Sequence, residues 1–373
     1  MRQTGIAVSV EVEVVAMSQV AESVMERLFQ SILGGLETVT IAIGDRLGFY
    51  VALDAGPQSP TTLATATNTS RRYCREWLEQ QAVYGLLEVA RDDADADLRE
   101  FALAPGVAET LARPDELTTV APLARMVAAA AAQWIRIAEG AQTGEGLGWA
   151  EYGTDMREAQ ADANAPALRR LLADEWLRSG LPDVYQRMAA GESLKVADVG
   201  CGAGWASVAL ASRFPRLSID AYDVDPATVE LATKTVKNAG LTGQIRVIDH
   251  DLASSTPTPD YDLAMAIECV HDMPHPVPVL AAMRAMVKPQ GVVLVVDEKV
   301  ADELTIPGDD LEKLMYGYST LVCLPDGMSG NPTGATGTVM RRPILERYAR
   351  EAGFGDVEVL PVEHDIFRFY RLR

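Results

Sequence analysis

The feature that most constrains this chain is the run VADVGCGAGW at residues 196–205. An apolar stretch ends in Asp198, and three glycines then alternate with other residues before a helical pattern begins. Each glycine removes a Cβ that would collide with a group lying against the backbone, so such a turn lets the main chain approach a ligand closely. The run therefore predicts a strand, a ligand-binding turn and a helix in that order.

The sequence around this run predicts a parallel α/β sheet. From Leu194 onward, apolar runs alternate with helical patterns, which is typical of strands joined by crossover helices. A late helix is expected near residues 343–352. The expected sheet is Rossmann-like and mostly parallel, with seven strands at residues 195–199, 218–223, 244–249, 261–267, 291–297, 357–360 and 366–370.

The spacing of the glycines separates two classes of ligand. Dinucleotide-binding turns follow G-x-G-x-x-G to admit a pyrophosphate, but Trp205 stands where the third glycine of that pattern would be. The observed spacing places Asp198 before Gly200, Gly202 and Gly204. It is that of the turn that binds S-adenosylmethionine (SAM), where no phosphate has to fit. In this assignment Asp198 helps to hold the ammonium of the methionine part.

Two further acids follow strands where such a site needs them. Asp223 ends the second strand, 23 residues after Gly200, near the offset at which a carboxylate accepts ribose hydroxyls. Asp251 follows the third strand and is expected to accept from the adenine amino group, with Leu252 packed near the ring. Aspartate is also favoured in turns, so a turn role for Asp251 stays open. The carboxyl ends of parallel strands share one edge of a sheet, where we expect these acids to meet.

Residues 194–300 resemble the class I SAM-dependent methyltransferases on these motifs. The segment IECVHDMPHP at residues 267–276 is similar to the His-Asp-Trp-x-Asp segment of winged-helix O-methyltransferases of the plant caffeate and bacterial polyketide type. The resemblance implies that His271 is the general base that takes a proton from the substrate hydroxyl. Met273 replaces the usual tryptophan of that family, and His275 replaces its second acid.

The environment expected for His271 fits a base, because methyl transfer to a hydroxyl requires removal of a proton as charge develops. Glu268 and Glu298 end adjacent strands and are expected to orient the imidazole or raise its basicity. A structural histidine bonded to a loop carbonyl remains the alternative. The expected roof of the acceptor pocket, for which core packing is the alternative, consists of Tyr316, Ser319, Cys323 and Met340.

The first half of the chain predicts a different architecture. Residues 1–16 alternate valine with polar side chains like a strand without a partner, and Met17 could equally be the first residue. A helix-turn-helix and a hairpin follow, which outline a winged helix within a first domain of residues 17–190. A glycine-rich run at 144–153 is expected to bridge it to a second domain, residues 191–373. The elements are expected at residues 18–32, 38–53, 61–67, 71–83, 85–90 and 100–103.

A winged helix can bind DNA, but the charges disfavour that reading. Arg71, Arg72 and Arg75 could reach phosphates, yet the hairpin tip carries four aspartates where a DNA-binding wing usually has lysine or arginine. The whole chain carries 33 basic and 53 acidic side chains, a net charge of −20 that repels nucleic acids and anionic membranes. A dimerisation and lid domain is therefore favoured over a ligand-responsive regulator.

The cysteines and the hydropathy point to a cytoplasmic protein. The four cysteines are isolated from one another and lack CxxC spacing, so neither a zinc site nor a disulfide framework is expected, and no other metal site is predicted. No apolar run reaches the ~18 residues of a membrane span. The chain is 48% hydrophobic, which is enough for sizeable cores.

The resemblance implies a SAM-dependent methyltransferase that acts on a small-molecule acceptor, releases S-adenosylhomocysteine (SAH) and dimerises through its N-terminal domain. Oxygen is the expected acceptor atom, because a base is provided at His271. A carbon, nitrogen or sulfur acceptor and a SAM-binding enzyme that does not transfer methyl groups remain alternatives.

Overall fold

A computed structural model describes residues 4–255, 258 and 260–373, with side chains described from Ser18 onward. Its contacts divide the chain into two compact units. The first unit contains the residues up to Arg113 together with Thr119–Ala128. The second contains Pro114–Thr118 together with Ala129–Arg373.

The first unit is mainly helical, and its only sheet among the described residues is an antiparallel hairpin. Phe49 and Tyr50 pack edge-on against Trp77 at its core, with ring centroids 4.9 and 5.1 Å apart. The unit contains α1 (Thr4–Arg46), α2 (Phe49–Asp54), α3 (Pro60–Thr67), α4 (Arg71–Val83), β1 (Leu87–Arg91), β2 (Glu100–Leu103), a π-helical turn (Ala108–Ala112) and most of α5 (Ala121–Ala131).

The start of this unit differs from the expectation. One helix, α1, replaces the expected strand-like extension and the helix at 18–32, and it continues through Gly34 and Gly35 to Arg46. A helix satisfies its backbone hydrogen bonds internally, whereas a strand without a partner does not. The break comes at Gly48, whose φ of +71° is the left-handed conformation that glycine adopts freely. Residues 1–3 lie outside the described residues.

The second unit holds the sheet predicted from the apolar runs. Its elements are α6 (Trp134–Thr143), a 3₁₀ turn (Trp149–Tyr152), α7 (Gly153–Leu171), a π-helical turn (Leu172–Leu177), α8 (Arg178–Gly180), α9 (Pro182–Ala189), β3 (Lys195–Val199), α10 (Trp205–Arg213), β4 (Ser218–Asp223), α11 (Pro226–Asn238), β5 (Ile245–Asp249), β6 (Tyr261–Ile267), α12 (Pro276–Met286), β7 (Val287–Glu298), α13 (Asp310–Tyr318), a π-helical turn (Ser319–Cys323), α14 (Leu324–Gly327), α15 (Arg342–Glu351), β8 (Val357–Val359) and β9 (Phe367–Leu372).

The seven strands lie in the order β5-β4-β3-β6-β7-β9-β8, which confirms the predicted α/β sheet. The first five are parallel, and β9 pairs antiparallel with both β7 and β8. Successive residues of β3 enter opposite cores, since Val196 packs in one and Ala197 in the other. Strands β4 and β5 lie on one side of β3, and β6 and β7 lie on the other. The carboxyl ends of β3 and β6 therefore border a crevice suited to a ligand.

The division between the units lies earlier than the boundary expected near residue 190. The helices from α7 to α9 share the core of the sheet, where Leu172, Trp176 and Leu181 are buried in one cluster with Leu210 and Leu294. Helical composition, which suggested the boundary, does not tell which core a helix joins. Among the described helices, none combines the length and the apolar character needed to cross a membrane.

Candidate active site

The glycine-rich turn follows β3 and leads into α10. Gly200, Gly202 and Gly204 all have positive φ, at +64°, +53° and +78°. A Cβ added at Gly200 would lie 2.8 Å from Cys269 Sγ, so both the backbone conformation and the close approach require glycine there. The Gly202 N–H donates to Asp223 Oδ2 at 3.0 Å, which ties the turn to the end of β4.

A cavity of about 510 Å³ opens above this turn, at the carboxyl ends of β3 to β6. The only guanidinium or ammonium in its described wall is that of Arg157, whose Nε lies 2.6 Å from Asp225 Oδ2. The wall is therefore strongly acidic and suited to a ligand with a cationic group. Its carboxyl groups belong to Asp198, Asp223, Asp225, Asp251, Glu268, Asp272 and Asp326.

The three acids predicted for the cofactor all line this cavity, with different exposure. Asp198 is 2% exposed, accepts from Ser207 Oγ at 2.6 Å, and has its pKa raised to about 6 by burial. Asp223 also has its pKa raised to about 6 by burial, and its Oδ1 accepts from the Asp225 N–H at 3.1 Å. Asp251 is exposed at the end of β5, where its Oδ1 accepts from the Ala253 N–H at 2.8 Å.

Two residues beside these acids complete this end of the cavity. Leu252 is buried and lines the wall, as expected for a side chain that packs on an adenine ring. His250 also lines the wall, and its Nε2 lies 2.9 Å from Ser255 Oγ. Its position directly after β5 was the signal in the sequence that it lies at this edge of the sheet.

His271 lies beyond β6 and is held by two acids from the end of β7. Its Nδ1 is 2.6 Å from Asp297 Oδ1 and 3.0 Å from Glu298 Oε2, so the Nδ1–H donates to Asp297. The imidazole is 3% exposed. The sequence predicted Glu298 here but not Asp297. Two consecutive acids at the end of an apolar strand were a signal for this pair, but not for which of the two accepts from Nδ1.

The charges around His271 set its protonation. Burial lowers the pKa of the imidazole, but the carboxylates of Glu298 and Asp297 raise it by more, so its pKa lies well above the usual value. Burial raises the pKa of Asp297, but the opposing charge of His271 and hydrogen bonds leave it below its usual value. The arrangement therefore makes the imidazole strongly basic. It also keeps a proton on Nδ1, where the N–H donates to Asp297.

Glu268 lies in the cavity wall, and the structure gives it a different partner from the one expected. Its carboxylate accepts from Asn164 Nδ2 of α7, and no contact with the His271 ring is found among the described residues. Burial raises its pKa to about 7, with a smaller opposing effect from His271. Its φ of +53° is rare for a residue with a side chain and is common at functional sites.

Asp272 and Cys323 lie beside the imidazole. A ring nitrogen of His271, a carboxylate oxygen of Asp272 and Cys323 Sγ all lie within 4.8 Å of one another. Burial raises the pKa of Asp272 to about 8, and Asp272 also lines the cavity. Among the described residues, Asp272 is thus the link between the cavity wall and the proposed base.

The other three residues expected to roof an acceptor pocket are not in the wall of this cavity. Tyr316 is exposed, and its hydroxyl accepts from Arg341 Nη2 at 3.2 Å. Ser319 is buried beneath Gly337, and Met340 is buried in the hydrophobic core on one face of the sheet. Cys323 lies beside His271, with its Sγ within 4.8 Å of a ring nitrogen.

A second group of possible metal ligands consists of His271, Asp297 and Glu298, whose donor atoms also lie within 4.8 Å of one another. Two ligands of a tetrahedral zinc ion are about 3.3 Å apart, given metal bonds of about 2 Å. The 2.6 Å between His271 Nδ1 and Asp297 Oδ1 is instead the distance of a charge-assisted hydrogen bond.

The glycine-rich run at 144–153 packs within the second unit. The Leu147 N–H donates to the Pro325 carbonyl at 2.8 Å, and the Trp149 N–H donates to Asp326 Oδ1 at 2.8 Å. A Cβ at Gly146 would lie 2.2 Å from the Ser329 nitrogen, which explains why glycine is required for this approach. Because Gly148, Trp149 and Ala150 line the cavity, the run covers one side of it.

Comparison with known proteins gives this site a chemical class. Residues 196–291 match a family model described as a methyltransferase domain. Malonyl-[acyl-carrier protein] O-methyltransferase of Halalkalibacterium halodurans is 29% identical over 118 residues, which are 31% of this chain and 42% of that protein. The tRNA1(Val) (adenine(37)-N6)-methyltransferase of Pedobacter heparinus is 32% identical over 75 residues, 20% of this chain and 32% of that protein. This chain therefore spans less than half the length of these two curated relatives.

Solved structures resemble a larger part of the chain. Mitomycin 7-O-methyltransferase has a TM-score of 0.67 at 19% identity and covers 95% of this chain and 99% of its own. Human N-acetylserotonin methyltransferase, solved in complex with SAM, has a TM-score of 0.64 at 17% identity and covers 93% of this chain and 96% of its own. At such identities the likeness shows the fold. Residues 196–291 are a methyltransferase domain, and the second unit has the fold of the class I methyltransferases.

Proposed function

We propose that this chain is a SAM-dependent methyltransferase that transfers a methyl group to the oxygen of a small-molecule acceptor and releases SAH. The observation that carries the proposal is the paired arrangement of a glycine-rich turn with an acidic cavity and a buried histidine bonded to Asp297. The first part suits a positively charged nucleoside cofactor, and the second suits removal of a proton.

The residues around the turn fit SAM in a consistent order. Strand ends run β5, β4, β3 across this part of the sheet, and they carry Asp251, Asp223 and Asp198 respectively. In our proposal Asp251 and Leu252 contact adenine, Asp223 accepts from the ribose hydroxyls, and the glycine turn lies against the sulfur region. Asp198 supports the methionine end from behind the turn, where Ser207 holds its carboxylate.

His271 would act as the general base. When bound, SAM supplies an electrophilic methyl group on a sulfonium. The imidazole Nε2 accepts the proton of the acceptor hydroxyl as the oxygen attacks, and the Nδ1–H stays bonded to Asp297, whose charge stabilises the imidazolium that forms. Glu298 Oε2 lies 3.0 Å from the same Nδ1 atom and adds its negative charge there. Asp272 and Cys323 lie next to the ring.

The charge of the protein favours a small acceptor over a nucleic acid. The two relatives act, by their names, on malonyl-[acyl-carrier protein] and on tRNA1(Val). A net charge of −20 repels RNA phosphates, and some of the carboxylates that contribute to it lie in the cavity wall.

We propose a cytoplasmic location, which the four free cysteines support because thiols persist in a reducing compartment.

We also propose that two copies associate through their N-terminal units. Helix α1 exposes a stripe of large apolar side chains at helical spacing, including Val24, Leu28, Phe29, Ile32 and Leu36, each of them 43–59% exposed. A contiguous apolar stripe of this kind is typical of a surface that is covered in the assembled protein. A light-scattering mass of 40.2 kDa at micromolar concentration would refute the dimer.

The function is tested by incubating the protein with SAM and a panel of hydroxyl-bearing small molecules and measuring the SAH formed. We expect SAH to appear together with a product that is one methyl group heavier. A product methylated on carbon, nitrogen or sulfur would show that this atom, and not oxygen, is the acceptor. SAM binding without SAH formation across the panel would favour a non-methylating enzyme of the same fold.

A further inference from the structure

The order of the strand ends locates the methionine part of the bound cofactor. If adenine lies above the end of β5 and ribose above the end of β4, the rest of the cofactor extends over β3 toward β6. The residues at the end of β6 then face the methionine amino group, which is an ammonium at neutral pH. Glu268 directly follows β6 and lines the cavity.

Most other carboxyl groups of the cavity already have partners. Asp198 accepts from Ser207 and is 2% exposed, Asp225 is paired with Arg157, and Asp326 accepts from the Trp149 N–H. Asp223 and Asp251 are assigned to ribose and adenine. Glu268 and Asp272 remain, and Asp272 faces His271 and Cys323 at the other side of the same loop.

The protein holds Glu268 in place from two directions. Its N–H donates to the Val296 carbonyl at 2.8 Å, and its backbone keeps a positive φ of +53°. One carboxylate oxygen accepts from Asn164 Nδ2, and among the described residues the other oxygen has no hydrogen-bond donor. A conformation this rare persists only where the surrounding structure enforces it, and it often serves a ligand.

We propose that Glu268, positioned by Asn164, receives the ammonium group of the methionine part of SAM. This inference rests on the proposed function and gives the ammonium a direct charged contact in addition to the support from Asp198. Asp198 keeps its supporting place behind the turn. The raised pKa of Glu268 fits the assignment, because burial opposes its charge and a cation beside the carboxylate would offset that effect.

The test compares ligands that differ only at the methionine end. SAM and SAH carry the ammonium, whereas 5′-methylthioadenosine keeps adenine, ribose and sulfur but lacks the amino acid. For Glu268→Gln we expect calorimetry to show about tenfold or greater weakening for both SAM and SAH, and unchanged affinity for methylthioadenosine. Asn164→Ala should give the same selectivity with a smaller loss, and Glu268→Asp should recover part of the affinity for SAM.

The matched control is Asp272→Asn, which removes one carboxylate from the same loop and the same cavity. We expect it to leave the ratio of SAM to methylthioadenosine affinities at the wild-type value. Equal weakening for all three ligands in Glu268→Gln, with Asn164→Ala behaving alike, would overturn the proposal in favour of a structural role. Weakening for SAM but not for SAH would assign Glu268 to the sulfonium instead and would also overturn it.

Failure of the proposed function gives a different result. In that case wild-type protein would bind neither SAM nor SAH, whatever residue stands at position 268. If wild type binds SAM and forms SAH, and Glu268→Gln keeps wild-type affinity for both ligands, only the inference about Glu268 fails.

Discussion

The two ends of the site, the cofactor cavity and the histidine beside it, are built from the chain in different ways. The cofactor end is local, since Asp198, Asp223 and Asp251 each lie at or just after the strand that positions them. The histidine end is assembled over long distances: His271 contacts Asp297, 26 residues away, and lies beside Cys323, 52 residues away. Because different segments build the two ends, mutations should be able to impair cofactor binding and proton removal separately.

The largest expected effect lies at the histidine end. We expect His271→Ala to lower kcat by about 10²-fold to 10⁴-fold, because the proton then has no positioned acceptor. Its Kd for SAM should stay at the wild-type value, since the ring is not part of the cavity wall. Single-turnover kinetics and calorimetry on the same preparations would check both. Unchanged kcat would show that transfer needs only proximity or that another base serves.

The converse change is Asp223→Ala at the cofactor end. We expect SAM affinity to fall by about 100-fold, because the carboxylate would accept two ribose hydroxyls and also holds the Gly202 N–H. At saturating SAM, kcat should recover most of its wild-type value. If the variant bound SAM as tightly as wild type does, the ribose assignment would fail.

Asp297→Asn should change the pH dependence rather than only the rate. The imidazole must be neutral to accept a proton, so wild-type kcat should rise as the pH increases through the raised pKa of His271. Removing the Asp297 charge lowers that pKa, and we expect the rising limb to move to lower pH by about one unit. Glu298→Gln provides the matched comparison from the same strand end. A limb that stayed in place in both variants would show that another group titrates.

The smallest expected effect is that of Asp251→Ala. Its carboxylate is exposed and serves the Ala253 N–H, so a contact to the adenine amino group would compete with water. We expect SAM affinity to fall by only about threefold to tenfold. Inosine-based SAM, which lacks the amino group, should bind wild type and variant equally. If wild type and variant preferred SAM over the inosine analogue by the same factor, Asp251 would serve the turn alone.

The comparison also explains what the sequence could predict. Strands β3 and β4 have the predicted bounds because buried parallel strands are continuous apolar runs that end in recognisable turns. The acids of the cofactor end follow those strands directly, so their place at one sheet edge could be inferred. Asp297 could not be chosen over its neighbour Glu298, because the contact depends on how the loop after β6 folds back toward β7.

Helices were harder to assign than strands. The Ala-rich and helical residues 129–190 carry few local signals of the core they join, and their packing against the sheet became visible only from contacts such as those of Trp176. Glu268 was expected at the imidazole because it ends a strand adjacent to that of Glu298. Its positive φ turns its carboxylate to Asn164 instead, and no sequence pattern specifies that dihedral angle.

The acidic wall of the cavity has a thermodynamic consequence. Asp198 and Asp223, with pKa values raised to about 6, and Glu268, with a pKa raised to about 7, hold fractions of protons near neutral pH when the cavity is empty. A ligand that brings a cation and hydrogen-bond donors lowers those pKa values and expels the protons into solution. The heat released on binding should therefore vary with the ionisation enthalpy of the buffer, and that variation counts the protons expelled per ligand bound.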